Sequence, residues 1–141
     1  MKFYWDTSAA INAAVSLTVK ARLNADAHVV RVHLFSEFFS TMTGRGVATK
    51  DVDGNPIRVT FDATDAAKWL RQFADKVTLV ELEGPETLDA LDKAQSLSVQ
   101  GARVYDYAHA LAAIKSGADV VLTRNEPHFT GLVGNARVER P

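Results

Sequence analysis

Cysteine is absent from all 141 residues. That removes disulfides, thiolate zinc sites and cysteine nucleophiles together, and it fits a reducing compartment. Long apolar runs are missing too: no stretch approaches the roughly 18 uninterrupted residues of a membrane span. Asp6 interrupts the N-terminus before a signal-peptide apolar region can develop. The expectation is therefore a cytoplasmic protein with no membrane partner. Neither sign of charge is in surplus, with 16 basic against 17 acidic side chains and a net charge of −1. A protein that gripped RNA by overall charge would be strongly basic. Any attraction to nucleic acid must then come from local basic side chains or bound metal ions. Internal repeats, low-complexity tracts and linkers are also lacking. Hydrophobic residues at 47% and charged ones at 23% leave little room for disorder. Residues 1–141 read as a single domain.

The chain opens on Lys2-Phe3-Tyr4-Trp5, short and aromatic, which predicts a buried strand. After Asp6-Thr7, Ser8 reads as the N-cap of an Ala-rich helix from Ala9 to Val19. A second helix is expected from His33 to Met42, where Leu34, Phe38 and Met42 recur every fourth residue and Gly44 is the stop. Between Arg45 and Phe61, Asp53-Gly54 separates two apolar runs and suggests a projecting hairpin. Asp62 and Asp65 then lead a helix with Ala66, Trp69, Leu70 and Phe73 on one face.

The segment from Val77 to Leu82 is the second strand candidate. Pro85 suits the first position of a helix running through Leu88, Leu91 and Leu97. Another helix follows from Tyr105 to about Lys115, closed by Gly117. Val120-Val121-Leu122 forms a third strand, and a short last one lies near Ala136 to Glu139. Strands alternating with helices predict a three-layer α/β/α fold around a mainly parallel sheet of four or five strands. In such sheets ligands bind beyond the carboxyl ends of the strands, where Asp6 and Asn125 both fall.

The residues also resemble a known family. Phe3-Tyr4-Trp5-Asp6-Thr7-Ser8-Ala9 resembles the first motif of the PIN domain, an apolar strand ending in Asp before Thr or Ser and a small residue. Ser36-Glu37-Phe38 is similar to the second, a helix carrying a single glutamate. Tyr105-Asp106-Tyr107-Ala108-His109-Ala110-Leu111-Ala112-Ala113 is similar to the third, and Gly117 to Asn125 with Phe129 to the fourth. Order and spacing agree over nearly the whole chain. The family often carries a fourth Asp after the last motif's Thr, where this sequence has Asn125. An amide oxygen there can orient a water but adds no charge; Asp119 and Glu126 lie nearby, off the motif position.

The resemblance implies an endoribonuclease that uses Asp6, Glu37, Asp106 and Asn125 as its catalytic set. Asp6, Glu37 and Asp106 would hold Mg²⁺ or Mn²⁺, a choice consistent with Mg²⁺ preferring a few carboxylates plus waters. Crowding such acids is unfavourable until a cation arrives. Ser8, Thr123 and Arg124 are the candidate substrate contacts. Within that family the short single-domain chain resembles the VapC-type toxins of toxin–antitoxin pairs. It implies a homodimer, an RNA substrate (tRNA, rRNA or mRNA) and a small antitoxin covering the acidic site. With Asn125 neutral, one well-held metal is expected more firmly than two.

Other readings carry less. A PIN module that binds RNA or a partner without cutting is the alternative that Asn125 favours. An aspartyl-phosphate phosphohydrolase would want a second Asp where Ser8 stands. Asp51-Val52-Asp53-Gly54-Asn55 fails as a calcium loop, because Pro56 takes the glycine position. Gly44-Arg45-Gly46 lacks the Lys and Ser or Thr of a phosphate loop. His33 and His109 share helix faces with Glu37 and Asp106 but read first as packed or solvated histidines. Arg45, Lys50, Arg58 and Arg124 are candidate contacts to a nucleic-acid backbone, though solvated surface charge accounts for any one of them alone.

Overall fold

The computed structural model describes residues 1–141 and contains a five-stranded parallel sheet in the order β5-β2-β1-β6-β7. Its strands are β1 (Lys2–Trp5), β2 (Ala27–Arg31), β5 (Thr78–Val80), β6 (Val120–Leu122) and β7 (Arg137–Glu139). β1 is central, so both of its faces are covered and Phe3, Tyr4 and Trp5 are buried in succession. Alternation sorts them between two layers. Phe3 and Trp5 pack with Val30, Val120 and Leu122 on one face, whereas Tyr4 packs with Val29 and Val121 on the other.

Helices fill both layers. α1 (Thr7–Val15), α2 (Leu17–Ala21), α3 (His33–Thr43) and α4 (Ala63–Ala74) supply Ala9, Ala10, Val19, Leu34, Phe38, Met42 and Phe73 to the first core. α5 (Gly84–Leu91), α6 (Arg103–Ser116) and the short α7 (Glu126–Phe129) supply Ala90, Tyr107, Ala110, Ala112, Ala113 and Phe129 to the second. The expected α/β/α layering is what the chain adopts. No helix is long and apolar enough to cross a membrane.

Four local readings need correcting. Ser8 is not the cap of the first helix. The cap is Asp6, whose carboxylate accepts from the Ala9 amide while Ser8 lies within the first turn. The helix also does not run to Val19, because Ser16 leaves helical geometry and its hydroxyl caps a separate helix through the Val19 amide. The sequence pattern does not show the strand at 27–31, although it pairs directly with β1; only three of its residues are apolar, and His28 and Arg31 hide the run. Further on, α5 stops at Leu91, and Leu97 belongs to a separate 3₁₀ turn.

The hairpin expected between Arg45 and Phe61 is present as a sheet of its own, β3 (Val47–Lys50) against β4 (Pro56–Val59). Asp51 organises its tip by accepting from the amides of Asp53 and Asn55. Its base is tied down where Gly46, at φ +69°, approaches Val59 so closely that a Cβ would fall 2.2 Å from the Val59 carbonyl oxygen. Val47, Val59 and Phe61 rest on the first core, so the hairpin is held at the base and projects at the tip.

Candidate active site

Because all five strands are parallel, their carboxyl ends lie along one edge. β1 ends there in Asp6, β2 delivers the chain into α3, and α6 starts there before the chain returns through β6. The N-termini of α1, α3 and α6 thus face the same crevice with their positive dipole ends, which favours anionic groups. Glu37 sits one turn into α3, and Asp106 in the first turn of α6.

Asp6 is buried, 3% exposed, and surrounded by neutral donors. Its Oδ1 accepts from the Ala9 amide at 2.8 Å and the Ser8 hydroxyl at 2.7 Å; its Oδ2 accepts from the Thr123 hydroxyl at 2.6 Å. Burial pushes this carboxyl above its ordinary pKa, and the hydrogen bonds from Thr123, Ala9 and Ser8, with the nearby His109, only partly offset it. Thr123 and Ser8 therefore act through Asp6. Each is also held from the far side: Asn125 donates its amide to Thr123 Oγ1 at 2.9 Å, and Arg124 donates its amide to Ser8 Oγ at 2.9 Å. This knot ties the end of β6 to the end of β1. Asn125 itself is exposed and caps nothing with its side chain.

Glu37 is partly buried and meets α6 through His109, whose Nε2 lies 2.9 Å from Glu37 Oε1. Burial pushes the Glu37 carboxyl up, but the hydrogen bond and charge of His109, the charge of His33 and a hydrogen bond from Thr7 together hold it below the usual range. His109 is itself 2% exposed, and its Nδ1 lies 2.7 Å from the Tyr4 hydroxyl. An imidazole protonated at Nε2 satisfies both bonds, with Tyr4 donating and Glu37 accepting. Asp106 is turned instead toward His128, whose Nδ1 lies 3.1 Å from Asp106 Oδ2.

The structure thus places Asp6, Glu37 and Asp106 toward the same edge of the sheet but engages each with a different neighbour. As the side chains stand, no three acidic or imidazole groups converge tightly enough to hold a metal. The donor chemistry is nonetheless that of a hard cation: three carboxylates, one of them buried without a cationic partner in contact. Glu37 and Asp106 would have to turn from their imidazoles to share an ion with Asp6. The sequence pattern did not point to Tyr4 or His128. Tyr4 passes for core in an aromatic strand, and His128 stands in a helix of four residues. His109, expected as a packed or solvated histidine, is packed, and it also joins Tyr4 of β1 to Glu37 of α3.

The Tyr4–His109 bond carries a measurable share of the fold. Tyr4→Phe keeps the ring and strips the donor from a buried imidazole nitrogen, which should cost about 1–3 kcal/mol in urea unfolding. Unchanged stability would mean that Nδ1 finds water or another partner.

No family model matches this sequence, and no curated protein does. Solved structures are similar in fold. A chain of VapBC2 from Rickettsia felis, in a complex bound to a DNA fragment from their promoter, superposes with a TM-score of 0.68 at 11% identity, covering 100% of this chain and 99% of that one. A chain of VapBC-1 from nontypeable Haemophilus influenzae superposes with a TM-score of 0.65 at 12% identity, covering 99% and 98%. At such identities the likeness concerns the fold, which is PIN-like from end to end.

Proposed function

We propose that this protein is a divalent-metal-dependent endoribonuclease, the VapC-type toxin of a toxin–antitoxin pair. The observation that carries the reading is the buried Asp6 carboxylate at the end of the central strand, with Glu37 and Asp106 in the opening turns of two helices that start at the same sheet edge, in a fold shared with VapBC chains. Asp6, Glu37 and Asp106 would hold Mg²⁺ or Mn²⁺. Bound there, such an ion supplies Lewis acidity toward a phosphoryl oxygen and a water of lowered pKa. The chain's own contribution is placement. Thr123 and Ser8 fix both oxygens of Asp6, Tyr4 and His109 hold Glu37 in reach, and Asn125 and Arg124 stand at the mouth to meet the substrate. Hydrolysis by water leaves a 5′-phosphate and a 3′-hydroxyl. A small antitoxin over the acidic crevice and a second copy of the chain complete the proposed assembly, and tRNA, rRNA or mRNA is the substrate.

A second reading, a PIN module that binds without cutting, draws on two observations. Glu37 and Asp106 are each engaged by an imidazole, and the fourth corner is the neutral Asn125. Incubation with structured RNA and Mn²⁺ or Mg²⁺ separates the two. Cleavage that yields 5′-phosphate ends and stops with EDTA supports the nuclease. Calorimetric binding of Mn²⁺ without any cleavage supports the inert module, and absence of both sinks the metal reading altogether.

A further inference from the structure

We infer that the β3–β4 hairpin and the loop after β6 form a basic groove that carries the sugar–phosphate backbone of single-stranded RNA away from the acidic crevice. This rests on the nuclease reading above and assigns its substrate path. Two cavities adjoin. One, of about 420 Å³, is lined by Ser8 and Asn125 at the site end and by Arg45, Arg58 and Arg124 beyond. The other, of about 700 Å³, shares Ala48 and Arg124 with it and adds Lys50 and Arg140. The pair makes one trough from the crevice along the hairpin.

No Asp or Glu lines either cavity, in a chain whose acids outnumber its bases. Arg45, Lys50, Arg58 and Arg124 are exposed and form no ion pair. Arg58 is held in place by donating to the Arg45 carbonyl at 2.7 Å, which leaves its charge uncompensated. Arg140 alone is matched, by Glu126 at 2.7 Å. The nearest hairpin acids, Asp51 and Asp53, sit at the tip, where Asp51 is occupied by backbone amides.

A near-neutral protein that concentrates unpaired cations beside an acidic crevice is complementary to a polyanion that must lead one bond into that crevice. Few apolar side chains line the trough, and no aromatic ring does. Recognition is therefore of backbone charge, with little stacking on bases. Strand pairing fixes two of these cations, Lys50 opposite Pro56 at the far end of the hairpin and Arg58 opposite Ala48 nearer its base.

Binding of a fluorescent 12-nucleotide single-stranded RNA, measured against salt without divalent metal in an Asp6→Asn background, tests this. Each phosphate contact contributes about −0.7 to the slope of log K against log[salt] on single strands. Arg45→Glu with Lys50→Glu should therefore flatten the slope by about 1.4 and weaken binding about 25-fold at 0.1 M salt. Arg45→Lys with Lys50→Arg should keep both, as should Arg71→Glu with Lys76→Glu, which lie outside both cavities. Unchanged slope and affinity in a folded Arg45→Glu/Lys50→Glu protein overturn the groove, as does a chain that binds no RNA at all. In the Asp6-containing protein, the 12-nucleotide RNA should be cut once Mn²⁺ is added. If nothing is cut while the slope still changes as stated, the groove stands and the hydrolytic reading falls.

Discussion

Asp6→Asn should abolish RNA cleavage while leaving a folded protein, and it should erase any stabilisation by Mn²⁺. The three effects have separate causes. Folding survives because Asn is as good an N-cap as Asp. Its Oδ1 can keep the Ala9 amide, and the Thr123 hydroxyl can rotate to accept from the new amide. Removing the charge also relieves the desolvation that pushes the Asp6 carboxyl up, so metal-free stability should not fall. Catalysis fails because the deepest carboxylate of the proposed metal set is gone, a loss of roughly 10²–10³-fold or more. An ion present at 100 times its dissociation constant stabilises the folded state by about 2.7 kcal/mol. For a domain of this size that is roughly 8–12 °C in the thermal midpoint. The parent chain should show that rise with Mn²⁺ and Asp6→Asn should show under about 1 °C. Equal rises in both proteins would place the ion elsewhere, and cleavage surviving in Asp6→Asn would point to a contaminant.

Phe38→Ala should be the most damaging single truncation in the layer behind the site. Phe38 is fully buried in α3, one residue from Glu37. Its ring stacks on Trp69 of α4 at 4.6 Å and 9°, and Trp69 stacks in turn on Phe73 at 5.0 Å. Phe61, at the foot of the hairpin, leans on the same ring at 6.3 Å. Truncation deletes the ring and leaves a cavity between two helices and the hairpin base, at a cost of about 3–5 kcal/mol. Against a total stability of roughly 5–15 kcal/mol, the thermal midpoint should fall by about 10–20 °C. The neighbouring Phe39 is 38% exposed, and its truncation should cost under about 1 kcal/mol. Similar losses at the two positions would mean that the aromatic stack does not anchor α3.

How much of this was legible in the chain depends on whether a residue's role is local. β1 and its terminal acid could be read because an aromatic run followed by Asp-Thr-Ser is a local pattern, as could the hairpin through Asp53-Gly54. β2 could not, since His28 owes its burial to Trp5, whose indole donates to it from the neighbouring strand at 3.0 Å. Nothing adjacent in sequence foretells that bond. Asp6 takes the capping role expected of Ser8 for a similar reason. Either can cap a helix, and the choice fell to Thr123, 115 residues away from Ser8, which draws both side chains together. The three carboxylates follow from the motif pattern and lie toward the same edge of the sheet, each with a different partner. Their imidazole partners were not assigned, because a histidine among alanines carries no sign of what faces it across a fold.

That long reach fixes when the crevice can come into being. Thr123 bonds Asp6 across 117 positions, and β1 finds β6 only after nearly everything between them has been made. At about 5–20 residues per second, a ribosome takes roughly 6–25 s to cover that interval. For all of that time the first acid of the cluster exists with no knot around it. A growing chain thus lacks this knot until β6 is threaded into the sheet, and anything that captures β6 during birth would keep Asp6 without its Thr123 bond.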